Sequence, residues 1–149
     1  TYRVKIYIGA DMAALGRLDA IVFTAGVGER ATNIREMILQ GLENFGIVLD
    51  EERNNCADTN KAECRISADN SKVKIFVIPT DEEIVGVQDI VALKAGTYED
   101  YTKFRYIFQE KDYRNKLRDA AFIEEVKKRP FLLKAAVNLP EELKNTAAR

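Results

Sequence analysis

Apolar residues recur every three to four positions at Val4, Ile8, Met12 and Leu15, the spacing of one helix face, and Gly16 stands where such a helix stops. Asp19-Ala20-Ile21-Val22-Phe23-Thr24 is a short β-branched run that predicts a buried strand. A glycine-bearing loop, Ala25-Gly26-Val27-Gly28-Glu29, follows it directly. A second helix is expected from Thr32 or Asn33, with Ile34, Ile38, Leu42 and Phe45 on one face and Gly46 at its end. Residues 50–71 are polar and carry no long periodic element. Lys72 to Ile78 reads as a second strand closed by Pro79, and Asp81-Glu82-Glu83 opens a helix with Ile84, Val87, Val91 and Lys94 in one stripe. Acidic residues at a helix start complement its dipole.

The order helix–strand–helix, then strand–helix, is an α/β pattern. Beyond Gly96 the pattern becomes helical. Tyr101, Phe104 and Phe108 share one face, Tyr113, Leu117 and Ala121 another, and Pro140-Glu141-Glu142 suits a helix start.

Charge and aromatic content shift at the same place. Residues 1–96 carry 11 Lys+Arg against 15 Asp+Glu, whereas residues 97–149 carry 12 against 9 and 8 of the 13 aromatics. Ala95-Gly96-Thr97 is therefore a candidate joint between 1–96 and 97–149. The whole, 149 residues with 46% hydrophobic and 32% charged residues and a net charge of −1, fits a folded domain rather than a disordered tail. That charge gives no electrostatic reason to expect nucleic acid, and no apolar run approaches the roughly 20 residues of a membrane helix. The first residues have no signal-peptide features, and a cytoplasmic protein is the simplest expectation. Cys56 and Cys64 sit in the polar stretch and read as reduced surface thiols. Histidine is absent from these 149 residues, which removes histidine acid–base catalysis, Ser-His and Cys-His pairs and His-ligated metals.

Two strand ends carry candidate chemistry. Phe23-Thr24-Ala25-Gly26-Val27-Gly28-Glu29 places two glycines between strand and helix, where backbone can approach a ligand. A tight strand-to-helix turn accounts for the same residues, and neither a third Rossmann glycine nor a Gly-Lys-Ser/Thr follows. Ile78-Pro79-Thr80-Asp81-Glu82-Glu83 gathers three carboxylates where an open α/β sheet would hold a ligand or hydrated metal. Helix capping by Thr80 or Asp81 is the alternative.

Together the two motifs resemble the acetate kinases. Tyr2-Arg3-Val4-Lys5 with Tyr7-Ile8-Gly9-Ala10, then Leu18 through Glu29, are similar to that family's helix, adenosine-binding strand and loop. Ile34-Arg35-Glu36, Leu42-Glu43, Phe45-Gly46-Ile47, Leu49-Asp50, Val73-Lys74, Val77-Ile78-Pro79-Thr80 and Glu82-Glu83 follow in the family's order. Residues 2–95 thus resemble the C-terminal segment of an acetate kinase, in the actin-like, ribonuclease H-like superfamily of sugar kinases and heat-shock ATPases. The resemblance implies an α/β fold forming the C-terminal part of such a domain, followed by an α-helical tail. It implies phosphoryl transfer between ATP and acetate, giving acetyl phosphate, with Mg2+ on the nucleotide.

By the same resemblance, Gly26, Val27, Gly28, Glu29 and Arg30 would bind ATP or ADP, Arg30 standing where the family has asparagine. Glu82 matches the magnesium-associated glutamate, with Asp81 replacing the asparagine before it. The acetate pocket, for acetate or another short carboxylic acid, and the transition-state residues belong in that family to the preceding sequence. No catalytic residue is therefore assigned here, and this chain alone is expected to be inactive. A homodimer is implied, without nucleic-acid or membrane partners. A truncated nucleotide-binding or assembly module is the alternative function.

Overall fold

The computed structural model describes residues 1–100 and 103–147. The chain forms two compact units, 1–79 with 117–149, and 80–116. The compositional joint at Gly96 falls inside the second unit.

The first unit is built on a three-stranded sheet of order β1-β3-β2. Strand β1 (Ala20–Phe23) runs parallel to β3 (Lys74–Val77), and β2 (Cys64–Arg65) pairs antiparallel on the other side of β3. Register sorts the side chains by face. Phe23, Val77 and Cys64 form one row, and Ile21, Ile75 and Ile66 the next, all turned to the core. Val22, Phe76 and Arg65 lie on the opposite face, where Val22 is 51% exposed. β1 is therefore a sheet edge covered on one side, and not the buried strand its apolar run predicts. Such a run cannot reveal whether its outward positions are covered within the same chain.

Helix α1 (Tyr2–Leu15) ends at Gly16 in the left-handed conformation, as its pattern predicts. It buries no residue completely, and only Ile8 and Met12 touch the core. Next to β1 comes α2 (Ala25–Arg30), and then α3 (Thr32–Leu39), which places Ile38 and Leu39 in the core. α3 ends earlier than expected: Gln40 leaves the helical region with ψ 128°, and Gly41 turns the chain with φ 83°. A single 3-10 turn, Glu43–Phe45, replaces the last helical turn and leaves Phe45 62% exposed. The polar stretch holds two elements that periodicity does not show: α4 (Glu51–Cys56), capped by Asp50, and the two-residue β2. Both are too short for periodicity to register.

Cys56 and Cys64 are free and buried, a correction to their reading as surface thiols. The polar stretch folds over the core, burying Arg53 and Asn54 as well, so both sulfurs lie inside, and burial pushes the Cys64 thiol up to about 11.

The tail is part of this core. α6 (Lys116–Lys128) contributes Phe122 and Val126, and α7 (Leu132–Ala135) contributes Leu132 and Ala135, to the cluster holding Cys64, Ile66, Ile75 and Val77. After α7 the chain adds to the sheet: Ala136 bridges Cys64, and the Val137 amide donates to the Glu63 carbonyl at 2.8 Å. Arg118 and Asn138 both reach the Glu63 carboxylate, at 3.2 and 3.3 Å. The free edge of β2 is thereby covered. A short α8 (Glu141–Ala147) follows Pro140, and Leu143 and Ala147 touch the core.

The second unit contains α5 (Glu82–Ala95), whose C-terminus is the left-handed Gly96. The helix expected near Phe104 and Phe108 is not formed. The chain runs as a turn and a 3-10 segment, Ile107–Gln109, stacking Tyr98, Phe104, Tyr106 and Phe108 in series with centroids 5.0–5.3 Å apart. Edge and stacked aromatic packing here outweighs helical spacing. Tyr106 donates to Asp89 at 2.9 Å, which raises its phenol pKa. Tyr101 lies outside the described residues, and Leu117, read as part of an apolar stripe, is 85% exposed.

Candidate functional site

Residues Gly26 to Arg30 form a helix rather than a glycine loop. Thr24 is extended, Ala25 turns the chain with φ 58°, and α2 begins at once. Neither Gly26 nor Gly28 has a positive φ, so the turn itself requires neither glycine. Space does not require them either. A Cβ on Gly28 would lie 3.4 Å from the Phe23 carbonyl carbon, an ordinary contact of α2 with the end of β1. A Cβ on Gly26 would meet nothing within 4 Å. The outer side of α2 presents Gly26, Val27 and Arg30 to solvent, with Val27 64% exposed. It is an open surface of backbone, one small apolar side chain and one guanidinium.

The inner side of α2 is tied down by residues that the sequence motif does not include. Arg35, fully buried on α3, donates from Nη1 to the Gly28 and Glu29 carbonyls at 2.9 and 2.8 Å. Its Nε reaches Asn54 Oδ1 at 2.7 Å, and its Nη2 reaches the Asn54 carbonyl at 3.0 Å. Asn54, itself buried on α4, donates back to the Thr32 carbonyl at 3.1 Å. Burial lowers the Arg35 pKa, yet a guanidinium stays charged at neutral pH. Glu29 is held as well, its carboxylate accepting from the buried Thr59 hydroxyl at 2.7 Å. The advance signals for this anchor were an arginine among the apolar positions of α3 and its place in the Ile34-Arg35-Glu36 stretch of the resemblance, neither of which gave its role.

Glu82 belongs to the other unit. It is the exposed first residue of α5, after Asp81, whose carboxylate accepts from the Ile84 amide at 3.1 Å. Asp81 therefore serves as the helix cap. Among the described residues no group of three or more metal-type ligands is gathered. An exposed single carboxylate fits a hydrated magnesium ion held mostly by water and phosphate, and does not fit a protein cage.

The first unit is an α/β unit with an open helix at a strand end, and comparison with known proteins gives the chain a family. The Acetokinase family model matches residues 1–88, and the chain belongs to that family. It is 56% identical over 112 residues to the acetate kinase of Trichlorobacter lovleyi, covering 75% of this chain and 27% of that protein. With the acetate kinase of Treponema pallidum it shares 48% identity over 132 residues, 88% of this chain and 30% of the relative. The chain thus spans about a quarter of the length of the curated relatives it matches.

These matched stretches are longer than 96 residues, so similarity to the family continues past Gly96. Among solved structures, acetate kinase from Porphyromonas gingivalis superposes with TM-score 0.51 and 41% identity over 62% of this chain and 23% of that one. Acetate kinase from Entamoeba histolytica gives 0.52 and 33% over 57% and 22%. The fold is accordingly an α/β portion of the actin-like ATPase fold with a helical tail.

Proposed function

We propose that this chain forms the adenine-nucleotide side of an acetate kinase, the C-terminal portion of an enzyme that transfers a phosphoryl group between ATP and acetate. The observation that carries this reading is the α2 segment. It keeps the Gly-Val-Gly-Glu sequence of the resemblance and exposes Gly26, Val27 and Arg30 on a backbone fixed from behind. Val27 and the bare Gly26 would lie against the adenosine, and Arg30 would add a cation at the rim. Magnesium would arrive with the nucleotide and meet Glu82 through water, because this ion gives up its hydration shell reluctantly.

Acetate, or another short carboxylic acid, and the charges that stabilise the transferring phosphoryl group would be handled by the rest of such an enzyme. Each positioned charge is commonly worth factors of about a hundred or more in rate. The chain alone therefore does not turn over, and a hydroxamate assay for acetyl phosphate reads background. Self-association as a homodimer and a cytoplasmic setting, in which two unpaired cysteines persist as thiols, complete the reading.

Titration of ADP by calorimetry tests it. Gly26→Val puts bulk on the open side of α2, where a Cβ meets nothing within 4 Å, and should remove ADP binding without changing the melting temperature. Equal ADP affinity in the parent and variant overturns the assignment.

A further inference from the structure

Arg35 holds a full positive charge at a site with no solvent exposure, and no carboxylate pairs with it among the described residues. Taking a cation out of water is costly, and ordinary packing at this position of α3 would be met by leucine or methionine. What the guanidinium provides is reach in several directions. Four hydrogen bonds leave its planar fork for carbonyl oxygens on two different elements, Gly28 and Glu29 at the end of α2 and Asn54 on α4. The two α2 oxygens belong to the last turn, whose carbonyls have no partner within a helix and form its negative pole. A six-residue helix has little stability of its own.

We propose that Arg35 is the positioning residue of α2: it clamps the terminal carbonyls of the helix to α4 through Asn54 and so sets where Gly26, Val27 and Arg30 stand. The importance of that position for ligand binding rests on the nucleotide reading above, whereas the clamp itself does not. The side chain touches no proposed ligand and acts only through the α2 backbone. Lysine would preserve the charge, but its single nitrogen cannot stand at the separate positions from which Nε, Nη1 and Nη2 reach the two elements.

The test is amide hydrogen exchange on the whole chain, free of nucleotide, for the parent and Arg35→Lys. Residues 29–31 report on α2, since the Ala31 amide is bonded to the Val27 carbonyl. The Ile66 amide, bonded to the Ile75 carbonyl, reports on the sheet. Arg35→Lys should accelerate exchange at 29–31 by about tenfold or more while Ile66 changes by less than about threefold. Acceleration of both sets by one common factor, or of neither, overturns the proposal, because a residue that merely supports the core would act in that way. If Arg35→Lys does not fold, Asn54→Ala removes one anchor of the same clamp and must show the same selective release, or the proposal falls. ADP titration of the same samples separates the two readings. A parent chain that fails to bind ADP overturns the nucleotide reading, and the exchange comparison still decides whether Arg35 positions α2.

Discussion

Phe122 and Leu117 sit on the same helix, α6, in opposite surroundings. Phe122 has no exposed surface and packs in the cluster with the sheet residues Cys64, Ile75 and Val77, whereas Leu117 is 85% exposed. Truncating a fully buried phenylalanine removes its transfer free energy and leaves a cavity, together costing about 3–5 kcal/mol. Truncating an exposed leucine costs less than about 0.5 kcal/mol. Phe122→Ala should therefore lower the urea midpoint by about 2 M, taking a slope of about 2 kcal/mol per molar, and Leu117→Ala should leave it in place. Circular dichroism at 222 nm against urea measures both. The magnitude is large beside the roughly 5–15 kcal/mol that stabilises a domain. It would identify the segment past Gly96 as part of the fold. Two variants that unfold together with the parent would refute this, and would mean that α6 is an appendage whose burial contributes nothing.

Two further outcomes follow from the structure. Cys64 should resist thiol reagents in the native chain and react once it unfolds. Its folded pKa, about 11, lies above the ordinary thiol value, so its contribution to stability is complete below about pH 9 and is lost as pH rises through 11. Melting temperature should therefore fall over that window, and fall less steeply in Cys64→Ala; identical slopes would contradict the assignment. Asp81→Ala, losing the cap bond to the Ile84 amide, should weaken α5 by about 1 kcal/mol, seen as faster amide exchange in its first turn, and unchanged exchange there would remove the capping role.

What the sequence made legible was set by length and periodicity. α1 with its glycine stop, β1, β3 and the start of α5 are long or regular enough for pattern to prevail, and all four form where expected. α4 and β2 were silent because six and two residues complete too little of a period to register. The aromatic run after Tyr98 had helical spacing but found a better use in stacking, which depends on ring contacts that spacing does not encode. The coverage of β1 and the burial of Cys56 and Cys64 are tertiary facts. Each depends on what lies across the core, and a local window contains no term for it.

The candidate site shows the same division at finer scale. Its outward chemistry, Gly26 through Arg30, is contiguous and was visible as a motif. Its support, Arg35, Asn54 and Thr59, is scattered over 25 residues and visible only after folding. The glycines illustrate the difference. In sequence they suggest a flexible loop, yet both lie in ordinary helical backbone. The residue in the left-handed region is Ala25, where a Cβ costs about 1–2 kcal/mol. A segment that accepts that strain and is clamped by a buried charge is held rigidly rather than left mobile. Rigidity of this kind is what a binding surface of backbone and small side chains requires, since it has few contacts with which to offset the entropy of ordering itself around a ligand.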